Sequence, residues 1–205
     1  MRALIENSRS SPGAYRVTRV ISDKAAAGLA AALELGVPAQ SIMATAFSPQ
    51  GPQDRADFER KLGLAVAAES PDLIVLAGFM RILSADFVRA HQGRIMNIHP
   101  SLLPKYPGLH THRRVLLAHE THHGATVHFV TEELDGGPPI IQGSISVAPT
   151  DDETSLAKRV QEKEHEIYPL AVRWFCEGRL RFAEGRAWLD GEALTRPVQL
   201  EAARC

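Results

Sequence analysis

The chain has 205 residues, 44% of them hydrophobic and 23% charged, with a formal net charge of -1. That balance supports a folded domain with a sizeable core and gives no general attraction to nucleic acid or anionic membrane, so an anionic ligand has to be held by local groups. No apolar run approaches membrane-spanning length, the opening MRALIENSRS lacks the apolar core of a secretory signal, and the isolated cysteines Cys176 and Cys205 fit neither a disulfide framework nor a Cys-rich metal site, so a cytoplasmic location is expected.

In chain order, residues 15 to 22 (YRVTRVIS) read as a short strand, and 24 to 35 (KAAAGLAAALEL) as a helix stopped by Gly36 and Pro38. Residues 53 to 69 form an amphipathic helix ending before Ser70-Pro71. DLIVLAGF (72 to 79) is an uninterrupted apolar run of strand length, as in a parallel strand covered on both faces. A helix near 84 to 92 and RIMNI (94 to 98) repeat the pattern, which predicts a single doubly wound, mostly parallel α/β sheet with helices on both faces.

The second half changes character towards an antiparallel portion. GATVHFVT (124 to 131) alternates in period two, PIIQGSISV (139 to 147) is its expected neighbour, and Asp135-Gly136-Gly137 forms the turn-rich loop between them. Thr150 with Glu153 reads as a capping box opening a helix towards Trp174, disturbed at Pro169. RLRFAEGRAWL (179 to 189) reads as a closing hairpin. No repeat or linker divides the chain, so residues 1 to 205 are expected to form one domain.

Ligands of open α/β sheets bind beyond the carboxyl ends of the parallel strands. The loops after residues 78, 97 and 134 gather there. Asn97 and His99 stand two apart in an extended segment and so project to one side, while Pro100 and Pro104 fix the chain's departure. An amide beside an imidazole, near a carboxylate such as Asp135, can hold and protonate a developing oxyanion. By spacing alone the same pair also suits a hydrogen-bonded turn.

NIHPSLLPKYPGLHTHR (97 to 113) resembles the signature stretch of the folate-dependent formyltransferases, in the branch of the glycinamide ribonucleotide transformylases. GFMRIL, HGATVHFVTEELDGGPPI, QEKEHEIYP and FAEGRAWLDGEAL also resemble that family and keep its order along the chain. The resemblance implies transfer of a formyl group from 10-formyltetrahydrofolate, as co-substrate and without metal, to the amine of glycinamide ribonucleotide in de novo purine synthesis. Asn97, His99 and Asp135 are then the catalytic trio: Asn97 bonds the formyl oxygen, His99 stabilises its developing charge, and Asp135 orients His99. For folate the resemblance implies Arg55, Met80, Arg81, Ile82 and Leu83, together with Asn97, Thr131, Glu132, Glu133, Leu134 and Asp135. For glycinamide ribonucleotide it implies Gln161, Glu162, Lys163 and Glu164, with Glu164 at the amine. It further implies that the family's first strand and Gly-rich phosphate loop are missing, with Met1 at the start of a helix, so that a gap or rearrangement in the sheet is expected. A homodimer is compatible with this reading; nucleic acid and membrane are not expected partners.

His110-Thr111-His112 and His122-His123 invite a metal site, but their spacing is loose and no Cys joins them, so polar turn roles are expected. Cys176, beside Trp174 and Phe175, reads as a small core residue. A formyltetrahydrofolate hydrolase, a methionyl-tRNA formyltransferase and a folate-binding protein without catalysis are the competing functions. The tRNA enzyme is disfavoured because no basic extension follows residue 180.

Overall fold

The computed structural model describes residues 1–10, 13–43 and 52–200, with 52–55 described by backbone alone. The elements follow as α1 (Arg2–Ser10), β1 (Val20–Ser22), α2 (Ala27–Glu34), β2 (Ala39–Ser41), α3 (Pro52–Glu69), β3 (Ile74–Leu76), α4 (Ala85–Ala90) and β4 (Ile95–His99). The second half holds α5 (Thr111–Leu117), β5 (His122–Phe129), β6 (Pro139–Ser146), α6 (Glu153–Cys176), β7 (Leu180–Ala183), β8 (Arg186–Leu189), β9 (Glu192–Ala193) and β10 (Val198–Leu200).

Parallel pairing joins β1 to β2, β3 to β4 and β6 to β10, whereas β5 runs antiparallel to both β4 and β6. The α/β class and the change to antiparallel pairing therefore stand as read from the sequence. The sheet is not continuous, however. β1 and β2 form a two-stranded sheet of their own, and β3 is the end strand of the five-stranded order β10-β6-β5-β4-β3.

Both faces of the sheet are covered at β3 and at the start of β4, and these stretches are apolar accordingly. Ile74, Leu76 and Ile95 pack with Val66 of α3 and Phe87 and Val88 of α4. Leu73, Val75, Met96 and Ile98 pack on the other side with Leu4 of α1 and with Leu156, Val160, Ile167 and Val172 of α6. The Tyr168 hydroxyl of α6 donates to Leu76 O at 2.7 Å and lies 3.0 Å from Met96 O, tying the end of β3 to the first half of β4.

Several local details differ from the sequence reading. The capping box of α6 is formed by Asp152 and Ser155, not Thr150 and Glu153: Asp152 Oδ1 accepts Ser155 N–H at 2.7 Å, and Ser155 Oγ accepts Asp152 N–H at 3.0 Å. A carboxylate directly at the first turn is a stronger acceptor than a hydroxyl two residues earlier. Pro169 is accommodated inside an unbroken α6, where it is buried. Only 20 to 22 of the expected first strand find a partner. Cys176, the last residue of α6, is exposed, because the apolar face beside it opens onto a cavity rather than onto packed core. The closing hairpin forms between β7 and β8, with Glu184 and Gly185 both at positive φ as a tight primed turn requires.

Candidate active site

Asn97 and His99 occupy the last turn of β4's pleat, where the strand stops at Pro100. The loop that follows is anchored by buried polar groups. Thr126 Oγ1 donates to Ser101 O at 2.6 Å and accepts Leu103 N–H at 3.0 Å, and Gln142 Nε2 donates to Leu103 O at 2.8 Å. Buried amides and hydroxyls are costly unless paired, so this network fixes the loop's course.

Asp135 arrives from the β5–β6 connection at φ 52, a left-handed conformation uncommon outside glycine. Gly137, two residues on, closes the loop onto β5: a Cβ there would stand 1.8 Å from Phe129 O. The result is a carboxylate only 8% exposed with Oδ2 3.4 Å from His99 Nδ1. The same oxygen accepts Gly108 N–H at 2.8 Å. His99 Nε2 donates to Tyr106 O at 2.9 Å, so both ring nitrogens face acceptors and a doubly protonated ring satisfies both contacts.

His128 supplies the opposite wall. Its Nδ1 donates to Phe129 O at 2.9 Å, leaving Nε2 to accept from Asn97 Nδ2 at 3.2 Å. Burial holds the His128 pKa below the ordinary histidine value, in keeping with a neutral ring in that tautomer. Asn97 is thereby oriented by a neighbour that does not compete for charge. The three residues singled out in the sequence are thus brought together at one strand end. Tyr106 and Gly108 complete the arrangement through backbone atoms.

The remaining candidates are placed less uniformly. Met80, Ile82 and Leu134 carry exposed apolar side chains on the loops after β3 and β5. Leu83 instead lies in the core with Phe87 and Val66, so its side chain is withdrawn from the ligand side. Arg81 pairs with Asp23 at 2.9 Å and stacks over Phe58, which commits its guanidinium away from the trio. Glu132 is held by Arg89 at 3.0 Å, while Thr131 and Glu133 share a shallow hollow with it. The side chain of Arg55 lies outside the described residues.

On α6, Gln161 and Glu162 are exposed, and Lys163 pairs with Glu166 at 2.8 Å. Glu164 is half-buried one turn before Tyr168, on the face that meets the ends of β3 and β4. Burial pushes its carboxyl up to about 7. Of the histidines considered for metal, His112 and His123 bond each other, Nδ1 to Nε2, at 3.0 Å. Among the described residues no group of three metal-ligating side chains converges.

A wound α/β fold with an amide, an imidazole and a buried carboxylate converging at the strand ends defines an acyl-transfer class, in which fixed donors meet a developing oxyanion. The model of the formyl transferase family matches residues 1–172, and the chain belongs to that family. Phosphoribosylglycinamide formyltransferase of Escherichia coli (strain K12) is 47% identical over 195 residues, covering 95% of this chain and 90% of that protein. The solved phosphoribosylglycinamide formyltransferase of Coxiella burnetii superposes with a TM-score of 0.86 at 42% identity, covering 96% of this chain and 92% of its own. The trifunctional purine biosynthetic protein adenosine-3 of Homo sapiens is 37% identical over 185 residues, 90% of this chain and 18% of the relative.

Proposed function

We propose that this chain transfers the formyl group of 10-formyltetrahydrofolate to the primary amine of glycinamide ribonucleotide. The observation that carries the reading is the convergence of Asn97, His99 and Asp135 at the carboxyl end of β4. The amine nitrogen attacks the formyl carbon, and the carbonyl pair moves onto oxygen to give a tetrahedral oxyanion. Asn97 Nδ2 has a second N–H for that oxygen, and the His99 Nε2–H, which donates to Tyr106 O here, exchanges that acceptor for the oxyanion. Asp135 fixes the His99 ring and balances the charge of its protonated form. Collapse re-forms the carbonyl and breaks the bond to the folate nitrogen, which takes up the proton lost by the amine.

A neutral amine and a good acyl donor require orientation and fixed dipoles more than an activated nucleophile, so the reaction needs no covalent intermediate on the protein. The exposed Met80, Ile82 and Leu134, with backbone groups of 80 to 83 and 131 to 135, suit a flat heterocycle edged with donors and acceptors. Arg55 is assigned to the folate's glutamate end, where a guanidinium can fork onto a carboxylate. Gln161, Glu162, Lys163 and Glu164 are assigned to the ribonucleotide, with Glu164 facing its amine. A cytoplasmic location, where small soluble substrates of this kind are met, is part of the same reading. The test is formyl transfer to glycinamide ribonucleotide measured in parallel with release of formate. Transfer dependent on the ribonucleotide supports the reading, and formate release that ignores it contradicts it.

A further inference from the structure

A line of polar side chains crosses the five-stranded sheet. His99 of β4 is the register partner of Thr126 on β5, Thr126 that of Gln142 on β6, and Gln142 that of Gln199 on β10. Register partners on neighbouring strands project to the same face, so the line runs from the imidazole to the outer edge strand. His99, Thr126 and Gln142 are buried, whereas Gln199 is exposed at the edge. Gln199 also lies beyond residues 1–172, the part of the chain that the family model matches.

The hydrogen bonds along this line share one direction. Gln199 Nε2 donates to Gln142 Oε1 at 3.1 Å and to Pro197 O at 3.3 Å. With its oxygen engaged, the Gln142 amide turns its nitrogen inward, where it donates to Leu103 O at 2.8 Å and to Thr126 Oγ1 at 3.0 Å. Thr126 Oγ1 also accepts Leu103 N–H at 3.0 Å, so both of its lone pairs are used and its proton goes to Ser101 O at 2.6 Å. Ser101 N–H in turn donates to His99 O at 2.8 Å. Turned end for end, the Gln142 amide would set Oε1 against Leu103 O, and two acceptors would face each other in a buried place. Its orientation therefore decides the course of 101–103. The same loop then carries Tyr106 O to His99 Nε2 and Gly108 N–H to Asp135 Oδ2.

We infer that Gln142 is a positioning residue for His99 and Asp135, and that Gln199 on β10 sets the direction of its amide. Both act through the backbone of the loop after β4 rather than on the reacting atoms. The kinetic consequence rests on the proposed reaction, whereas the effect on the loop rests on geometry alone. A carboxylate at position 199 would repel Gln142 Oε1 and draw the amide nitrogen outward, away from Leu103 O. An ammonium there keeps a donor beside Oε1 and leaves the direction as it is.

The test uses the whole chain and the variants Gln142→Met, Gln199→Glu and Gln199→Lys, all well below their melting temperatures. Amide hydrogen exchange is measured without ligands, and formyl transfer by single turnover, with KM for each substrate from steady state. Gln142→Met and Gln199→Glu are expected to speed exchange at the Leu103 and Gly108 amides about tenfold, with the amides of β5 within about twofold of the natural chain. Both are expected to slow transfer about tenfold with KM for the folate within about twofold. Gln199→Lys is expected to match the natural chain in every measurement. Unchanged exchange at Leu103 and Gly108 in Gln142→Met overturns the inference, as does uniformly faster exchange across the sheet, which would make Gln142 a residue of general stability. Faster loop exchange with transfer at the natural rate overturns it too, and equal losses in Gln199→Glu and Gln199→Lys overturn the part played by Gln199. A natural chain that transfers no formyl group contradicts the proposed reaction instead, and the exchange measurements then still decide whether Gln142 and Gln199 hold the loop.

Discussion

Asp135 Oδ2 stands between two contacts at once: it accepts the Gly108 N–H at 2.8 Å and lies 3.4 Å from His99 Nδ1. The carboxylate therefore links three separate pieces of chain, the end of β4, the loop after it and the β5–β6 connection. Replacing it by an amide keeps the shape and one acceptor but removes the charge opposite the imidazole. Asp135→Asn is expected to lower kcat by about one to three orders of magnitude, with folate affinity changed much less. Steady-state kinetics together with folate titration check this, and an unchanged kcat would remove Asp135 from the trio.

Gly137→Ala tests the geometry that delivers Asp135. An added methyl would meet Phe129 O at 1.8 Å, and backbone cannot give way as a flexible side chain can. The loop must shift, so the variant is expected to lose activity at least tenfold and to melt several degrees lower. At Gly136 the obstructing atoms belong to the flexible Glu133 side chain, and Gly136→Ala is expected to be milder in both measurements.

The His112–His123 pair carries a pH signature. Burial, with His112 and His99 nearby, lowers the His123 pKa from 6.5 to about 4. A base with a depressed folded pKa contributes stability that is present above about 6.5 and lost as pH falls through about 4. Melting temperature is expected to fall across that window, and His123→Gln is expected to flatten the fall. Parallel curves for the two proteins would contradict the assignment.

Glu164 has the opposite sign. Its carboxyl is pushed up to about 7 by burial, so the stability it confers is present below the ordinary value of 4.5 and lost as pH rises through about 7. Glu164→Gln, uncharged throughout, is expected to gain melting temperature over the natural chain above pH 7. It is also expected to raise KM for glycinamide ribonucleotide more than KM for the folate. A KM increase confined to the folate would move Glu164 out of the ribonucleotide site.

Much of this was legible in the sequence, for identifiable reasons. DLIVLAGF and RIMNI announce strands covered on both faces, and the two-residue spacing of Asn97 and His99 places both on one side of an extended chain. Asp135 could be tied to them only by resemblance, since local sequence does not reveal a contact across the β5–β6 connection. Tyr106 and Gly108 escaped notice because they act through backbone atoms, which leave almost no signature in residue type. The strand β2, the helix α5 and the strand β10 are short and lack a clear apolar period, and they are held by tertiary contacts. Cys176 was misread because its helix face is apolar, yet that face meets a cavity.

The central claim is that His99 acts on the formyl oxygen during transfer. The most direct measurement is the single-turnover rate of formyl transfer from 10-formyltetrahydrofolate to glycinamide ribonucleotide, in the natural chain and in His99→Asn, with folate binding measured on both. Loss of an oxyanion donor and proton source predicts a rate lower by about two to four orders of magnitude, with folate affinity within a few fold. A variant that transfers the formyl group at nearly the natural rate, with the ribonucleotide and folate both bound, would contradict the account.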